Sequence, residues 1–221
     1  MPAPTWATQM INLGAALLLL SSFAMLSQRR ILSLVNLFAL QGAVLSVSTA
    51  IVAHTSGATH LYASAALSLI LKVIALPWIL HRLIWRLNVR WDTETQLNIP
   101  ATMLIGIVVV VFAFALAQPI AQLSEAVTRS TLGIALAVVL LSFLMMITRR
   151  KAVSQVIGFL AMENGLFFAA TSATYGMPMV VELGVALDVL VGTLILGVFF
   201  FQIREQFDSL DLRHMERLKE D

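Results

Sequence analysis

Long apolar segments alternate with short polar ones along almost the whole chain. A helix that crosses a membrane needs about 20 mainly apolar residues. Seven segments meet this condition, at residues 5–27, 32–53, 61–83, 100–121, 127–147, 152–173 and 180–202. The connections between them contain Arg pairs, Gly, Pro and polar runs, which end helices. The pattern predicts an all-α integral membrane protein with about seven transmembrane helices, spans 1 to 7.

The beginning of the chain resembles its last third. The segments QRRILSLVNLFALQGAVLS and TRRKAVSQVIGFLAMENGLFF, which begin at 28 and 148, both run from an Arg pair to a polar residue close to a Gly. Gln41 falls where Glu163 falls, and in the following spans Ser68 falls opposite Asp188. Since span 4 restores the direction of the chain, we predict that spans 1–3 and 5–7 are a parallel repeat of a three-helix unit, with span 4 as connector.

The repeat divides the chain into four parts. They are a first three-helix unit with its cytoplasmic loop, a connector helix, a second three-helix unit and a cytoplasmic tail, at residues 1–99, 100–125, 126–203 and 204–221. Of the 14 Lys and Arg residues, twelve flank the spans on one side, Arg129 lies on the other, and Lys72 lies inside span 3. Because basic residues mark the cytoplasmic side, the N-terminus is predicted outside and the C-terminus in the cytoplasm.

Composition narrows the chemistry. Hydrophobic residues make up 59% of the chain and charged residues 12%, about half the charge of an ordinary soluble domain. The chain has no Cys, so it forms no disulfide, thiolate metal site or iron–sulfur cluster by itself. Its sequence has no phosphate-binding loop, dinucleotide fingerprint or His spacing typical of a metal site. We therefore expect no catalytic residue, metal or cofactor in this chain, and no nucleic-acid partner.

Four ionisable residues stand in the apolar segments: Lys72, Glu163, Glu182 and Asp188. A charge at the bilayer centre costs at least about 2.5–3.5 kcal/mol, and such residues usually face the protein interior and belong to ion or proton paths. Glu163 and Lys72 are each about the twelfth residue of their spans, at mid-depth. Asp188 lies about 12 Å into span 7, at 1.5 Å per residue. We select all four as candidates for a proton or ion relay.

Each of the acids also has a purely structural interpretation. Glu182 stands in the first turn of span 7, where the helix dipole favours an interfacial acid. Asp188 could pair with a cation of another helix, such as Lys72, so that both charges are neutralised. Glu163 could be a protonated, hydrogen-bonded carboxyl that helps helices pack, beside Asn164 and Gly165.

Short motifs connect the chain to known families. Residues 126–217 resemble the K subunit of bacterial respiratory complex I in the basic turn TRRK, the run VIGFLAMEN and the run DVLVG at 188–192. Over its whole length, with a further unit in front and ILKVIALPWIL in span 3, the chain is similar to hydrogenase-4 component E. That family provides a membrane subunit of formate hydrogenlyase-type and related group 4 hydrogenase complexes.

The resemblance implies a non-catalytic subunit in the membrane arm of an energy-converting redox complex. Its partners would be antiporter-like subunits, other small membrane subunits and a peripheral redox arm, in a bacterial or archaeal plasma membrane. The K subunit has two buried glutamates, one on each of its second and third helices, on a path for protons. Asp188 matches the second of them, whereas Glu163 lies three residues beyond the match to the first, at Leu160. Three residues are about 4.5 Å along a helix, so Glu163 could reach a similar point from the next turn.

Two other interpretations remain open. In the first, the chain is a structural adaptor of the membrane arm, and its acids and lysine serve only to pair helices. In the second, the chain is a transporter that works alone. Transporters usually have broken helices at a midplane site, whereas Pro77 is the only proline deep in a span of this sequence, which counts against the second.

Overall fold

The chain is helical in nearly all of the part described by the computed structural model, which comprises residues 6–57, 59–87, 97–121 and 126–174 and positions 184, 187, 190–192 and 194. The helices are α1 Trp6–Ser27, α2 Ile31–Ser56, α3 Thr59–Ser68, α4 Leu76–Leu87, α5 Ile99–Ala121, α6 Ala126–Thr148 and α7 Ala152–Thr174. A π-helical segment, Leu69–Ala75, joins α3 to α4, and together they form the third span.

The predicted all-α membrane protein is confirmed. Within the described ranges, six helical stretches are long and apolar enough to cross a membrane. They agree with predicted spans 1 to 6 to within a few residues at each end. The predicted span 7, at 180–202, and the tail after it lie outside the described residues except for the few positions given above. The sequence does not predict the π-helical segment in the third span.

The helices at the centre of the bundle pack in a four-sided arrangement. Helix α1 packs against α2 and α6, and α7 packs against α2 and α6. The C-terminal ends of α1 and α6 lie together, because the side chain of Arg149 reaches the last carbonyls of α1. Helices α1 and α6 therefore run in the same direction, as a parallel repeat requires. The boundaries of the repeat units stay predictions.

A hydrophobic cluster fills the bundle from mid-depth to one end. We call this half, where α1 begins and α2 ends, the outer half, and the half with the Arg pairs the inner half. The cluster draws on five helices and contains Ile11, Ala15, Leu18, Leu45, Val52, Ala53, Leu61, Ala135, Val138, Phe167 and Phe168. Since all of these side chains are apolar and buried, they hold the outer half together by close packing.

Helix α5 lies at the edge of this arrangement. It packs against α1 and α6, and the rest of its surface carries exposed apolar side chains such as Leu104, Val108 and Val111. A helix that is apolar on all sides is stable only where no water surrounds it, in lipid or against another protein. The connector helix of the sequence prediction is therefore a peripheral helix of the bundle.

Candidate functional site

The site is built around Lys72, in the middle of the π-helical segment of the third span. The Lys72 side chain is fully buried, although its position in the sequence is flanked by Leu, Ile and Val. At mid-depth its ammonium group is too far from either surface to reach water by extending along the helix, as lysines near helix ends do. It must therefore be solvated by other side chains inside the bundle.

Glu163 and Asn164 of α7 solvate this ammonium group. Lys72 Nζ donates to Glu163 Oε1 at 2.8 Å and to Asn164 Oδ1 at 2.9 Å. The Glu163 carboxylate is nearly as buried as the lysine, with 2% of its surface exposed. Two charges in contact within the membrane thus form an ion pair, and a neutral amide binds to the same cation. We call these three residues the buried triad.

Of the two acids that the sequence offers as partners of Lys72, Glu163 is in contact with it among the residues that the structure describes. The two residues are 91 positions apart in sequence, but each is near the middle of its span, so equal depth brings them to the same level. Asp188 and Glu182, the other two candidates, lie outside the described residues, and their roles stay predictions.

The ring of Phe167 covers another side of the ammonium group. The ring centroid lies 5.5 Å from Lys72 Nζ, within the range in which the face of an aromatic ring attracts a cation. Phe167 follows Glu163 by four residues, so that both are on the same face of α7. Phe167 also belongs to the hydrophobic cluster, and the cluster therefore ends directly at the charged site.

Pro77 gives a local reason for the π-helical segment. The N–H of Leu76 bonds to the carbonyl of Leu71, five residues earlier, as in a π-helix. The next residue, Pro77, has no N–H to give to the corresponding carbonyl, that of Lys72, and its ring crowds the turn before it. Widening this turn relieves the crowding. Short π-helical segments within α-helices frequently occur at functional sites.

Gly42 of α2 allows the third span to approach closely. A Cβ atom at this position would lie 2.8 Å from the Cβ of Lys72 and 3.3 Å from its backbone carbonyl. Any larger residue would therefore push the backbone at Lys72 away from α2. In the sequence, Gly42 stands out only as the glycine that follows Gln41. Its role becomes visible in the structure, where it lies opposite Lys72.

Gln41 extends the polar region toward α1. Its Nε2 donates to Ser22 Oγ at 2.8 Å, and the Ser22 hydroxyl donates to the carbonyl of Leu18. Gln41 is completely buried. At the position that the predicted repeat gives to Glu163 in the second unit, the first unit thus has a neutral amide that binds to the neighbouring helix.

Arg149 is a buried contact that the sequence did not reveal. It belongs to the basic turn TRRK, which the sequence assigned to the cytoplasmic surface, yet only 2% of its surface is exposed. Its Nη2 donates to the carbonyls of Met25, Leu26 and Gln28 at 3.3, 3.0 and 2.6 Å. These carbonyls end α1, where the helix dipole is negative and a cation is favourable. Arg149 thus attaches the end of α6 to the end of α1.

Two histidines of the described part contact oxygen atoms of nearby residues. His54 Nδ1 lies 3.3 Å from the Tyr62 hydroxyl, and His81 Nδ1 lies 3.0 Å from the carbonyl of Pro77. Among the residues that the structure describes, no three His, Asp or Glu side chains come together as metal ligands would.

Comparisons with known proteins extend over nearly the whole chain. It is 33% identical over 212 residues to the uncharacterized protein Rv0085 of Mycobacterium tuberculosis, covering 96% of both chains. It is 25% identical over 214 residues to hydrogenase-4 component E of Escherichia coli and of Shigella flexneri, covering 96% of this chain and 98% of theirs. No family model matches the chain. No solved structure matches it.

Proposed function

The chain belongs to the same protein family as Rv0085 of Mycobacterium tuberculosis, and from this family and the buried triad we propose that it is a membrane subunit of a hydrogenase complex of the complex I type. In this role it carries no catalytic residue and no cofactor. Lys72 and Glu163 take part in moving protons, or sodium ions, while electron transfer proceeds in other subunits.

The distant relationship to hydrogenase-4 component E supports the assignment to a hydrogenase complex. The similarity spans both chains almost completely, so it includes the first helices as well as the part that resembles the K subunit of complex I. The proposed partners are antiporter-like membrane subunits, other small membrane subunits and a peripheral redox arm. The proposed setting is a plasma membrane, with the N-terminus outside and the C-terminus in the cytoplasm.

The ion pair between Lys72 and Glu163 is the observation that carries the proposed role. Burying two ions costs several kcal/mol for each, and an apolar pair of similar volume is often just as stable or more stable. Helix packing alone therefore gives little reason for this pair at mid-depth. An ammonium group that touches a carboxylate can instead pass a proton to it, and intramembrane ionisable residues are typical of such relays.

Asp188 and Glu182 complete the proposed relay. Asp188 matches the second buried acid of the K subunit in the run DVLVG, and Glu182 precedes it near the start of the predicted span 7. Their assignment depends on the resemblance and on their position in the sequence. In this arrangement Glu163 and Lys72 are the central members, because they are in direct contact.

The test uses the variants Glu163→Gln and Lys72→Met in membranes that contain the whole complex. Hydrogen production and the formation of a proton or sodium gradient are measured on the same preparation. In the complex that assembles, we expect the gradient formed per hydrogen produced to fall at least several-fold. The control is Ser46→Ala, because Ser46 is buried and its hydroxyl donates to the carbonyl of Gly42 in its own helix. An unchanged ratio in assembled Glu163→Gln and Lys72→Met complexes would contradict the proposal.

A second candidate function is that of a structural adaptor, in which the charges only pair helices. The contact between Lys72 and Glu163 also favours this function, because it joins the third span to α7. An adaptor loses assembly when one charge is removed and regains both assembly and full ion coupling when both are removed. The relay does not regain coupling.

A further inference from the structure

Buried polar groups are distributed unequally between the two halves of the bundle. In the outer half, the hydroxyls of Ser46, Ser48, Thr49 and Thr171 each donate to a carbonyl of their own helix, four residues earlier. These groups are therefore satisfied without any outside partner. Together with the hydrophobic cluster they make the described part of the outer half closely packed and mainly apolar.

The inner half contains buried polar atoms of another kind. Gln41 Oε1, Ser142 Oγ and Ser154 Oγ have no hydrogen-bond partner among the described residues, and their side chains are almost fully buried. Asn164 Nδ2 of the triad shares this property, and so does Ser68 Oγ, one turn outward from Lys72. A buried polar group without a partner costs about 1–3 kcal/mol, and proteins commonly satisfy such groups with ordered water.

These atoms lie at successive depths between the inner surface and the triad. At 1.5 Å per residue, Ser154 is about 3 Å from the inner end of α7, Ser142 about 9 Å from that of α6, and Gln41 about 15 Å from that of α2. Glu163 is at about the same depth as Gln41, and Gln41 precedes Gly42, which touches Lys72. Successive atoms thus differ in depth by about 6 Å, so that polar atoms without a partner occur all the way from the inner surface to the triad.

We propose that water reaches Glu163 and Lys72 through the described helices from the inner side only, while the hydrophobic cluster closes the outer side of these helices. The ligand is water, and its use as a proton carrier rests on the function proposed above. In that use, a hydronium ion gives a proton to the Glu163 carboxylate and leaves a water molecule, and the reverse step returns the proton. Through this water the triad exchanges protons with the inner side of the membrane.

The natural absence of Cys allows a direct test by single-cysteine labelling of the full-length chain in its own membranes. The variants Ser142→Cys, Ser154→Cys and Gln41→Cys report on the inner half. In the first two, only the side-chain oxygen is replaced, by sulfur. Leu45→Cys and Val138→Cys, in the hydrophobic cluster, are the controls. The probe is a small, positively charged methanethiosulfonate. Cysteines that it leaves unreacted are then coupled to a maleimide–polyethylene glycol, and the resulting gel shift gives the labelled fraction of this chain.

We expect the inner-half cysteines to react at least ten times faster than the two controls, and to react in inside-out vesicles but not in right-side-out vesicles. Equal rates in both sets, or faster reaction from the outer side, would overturn the proposal. If Gln41→Cys does not accumulate, Ser142→Cys and Ser154→Cys decide alone. Labelling as expected together with unchanged coupling in Glu163→Gln would leave the water path in place and reject the proposed relay.

Discussion

Removing the two charges of the buried pair one at a time and then together separates its electrostatic contribution from its function. The variants are Lys72→Met, Glu163→Gln and the double variant. Both replacements keep the approximate length of the side chain, so packing changes little. We expect each single variant to be strongly destabilised and the double variant to be destabilised less than either of them.

The magnitude follows from the contact distance. At 2.8 Å between Nζ and Oε1 and an effective dielectric constant of about 20, the attraction is about 6 kcal/mol. The desolvation of each ion, which costs several kcal/mol, offsets much of it. A single variant loses the attraction but keeps the desolvation cost of the remaining ion, so it should lose about 3–5 kcal/mol. The double variant loses both terms.

Thermal unfolding of the full-length chain in mild detergent measures this difference. By the relation for soluble domains of this length, a loss of about 3–5 kcal/mol lowers the Tm by about 6–20 °C. We expect the double variant to recover most of this loss. In the assembled complex, it should regain stability without regaining ion coupling, because Lys72 and Glu163, the central members of the proposed relay, are both replaced.

Two results would refute this reasoning. Additive destabilisation in the double variant would mean that the two charges do not stabilise each other. A double variant with both normal stability and normal ion coupling would assign the pair to helix packing alone, as in the structural adaptor.

The remaining predictions concern the surroundings of the pair. Gly42→Ala should destabilise the chain by about 1–3 kcal/mol and lower coupling, because its Cβ meets the Cβ and the backbone of Lys72. Gly106→Ala, whose neighbours are ends of side chains at 3.2–3.3 Å, should cost less; equal effects on stability and coupling would contradict this. Arg149→Met should lower the Tm, because hydrogen bonds to a charged group contribute about 1.5–3 kcal/mol. The control is Arg150→Met at an exposed position, which should change stability by no more than about 0.5 kcal/mol. Equal Tm values for these two Arg variants would show that the contact of Arg149 with α1 adds no stability.

The sequence by itself determined the membrane-spanning helices. The helix bounds follow from the length of each apolar run, a local property that the lipid thickness selects. The depths of Lys72 and Glu163 also follow from counting residues along their spans. Both could therefore be predicted as buried charges before any helix was placed next to another.

Only the tertiary structure decided which charges meet. Lys72 binds Glu163 and Asn164 because the third span approaches α7, and Gly42 allows this span to lie close to α2. In the same way, Arg149 is buried because α6 ends beside α1; in sequence it is one of two adjacent arginines at a helix end. Depth in the membrane depends on the position along one helix, but partnership depends on the packing and rotation of several helices, which apolar sequences of similar composition do not specify locally.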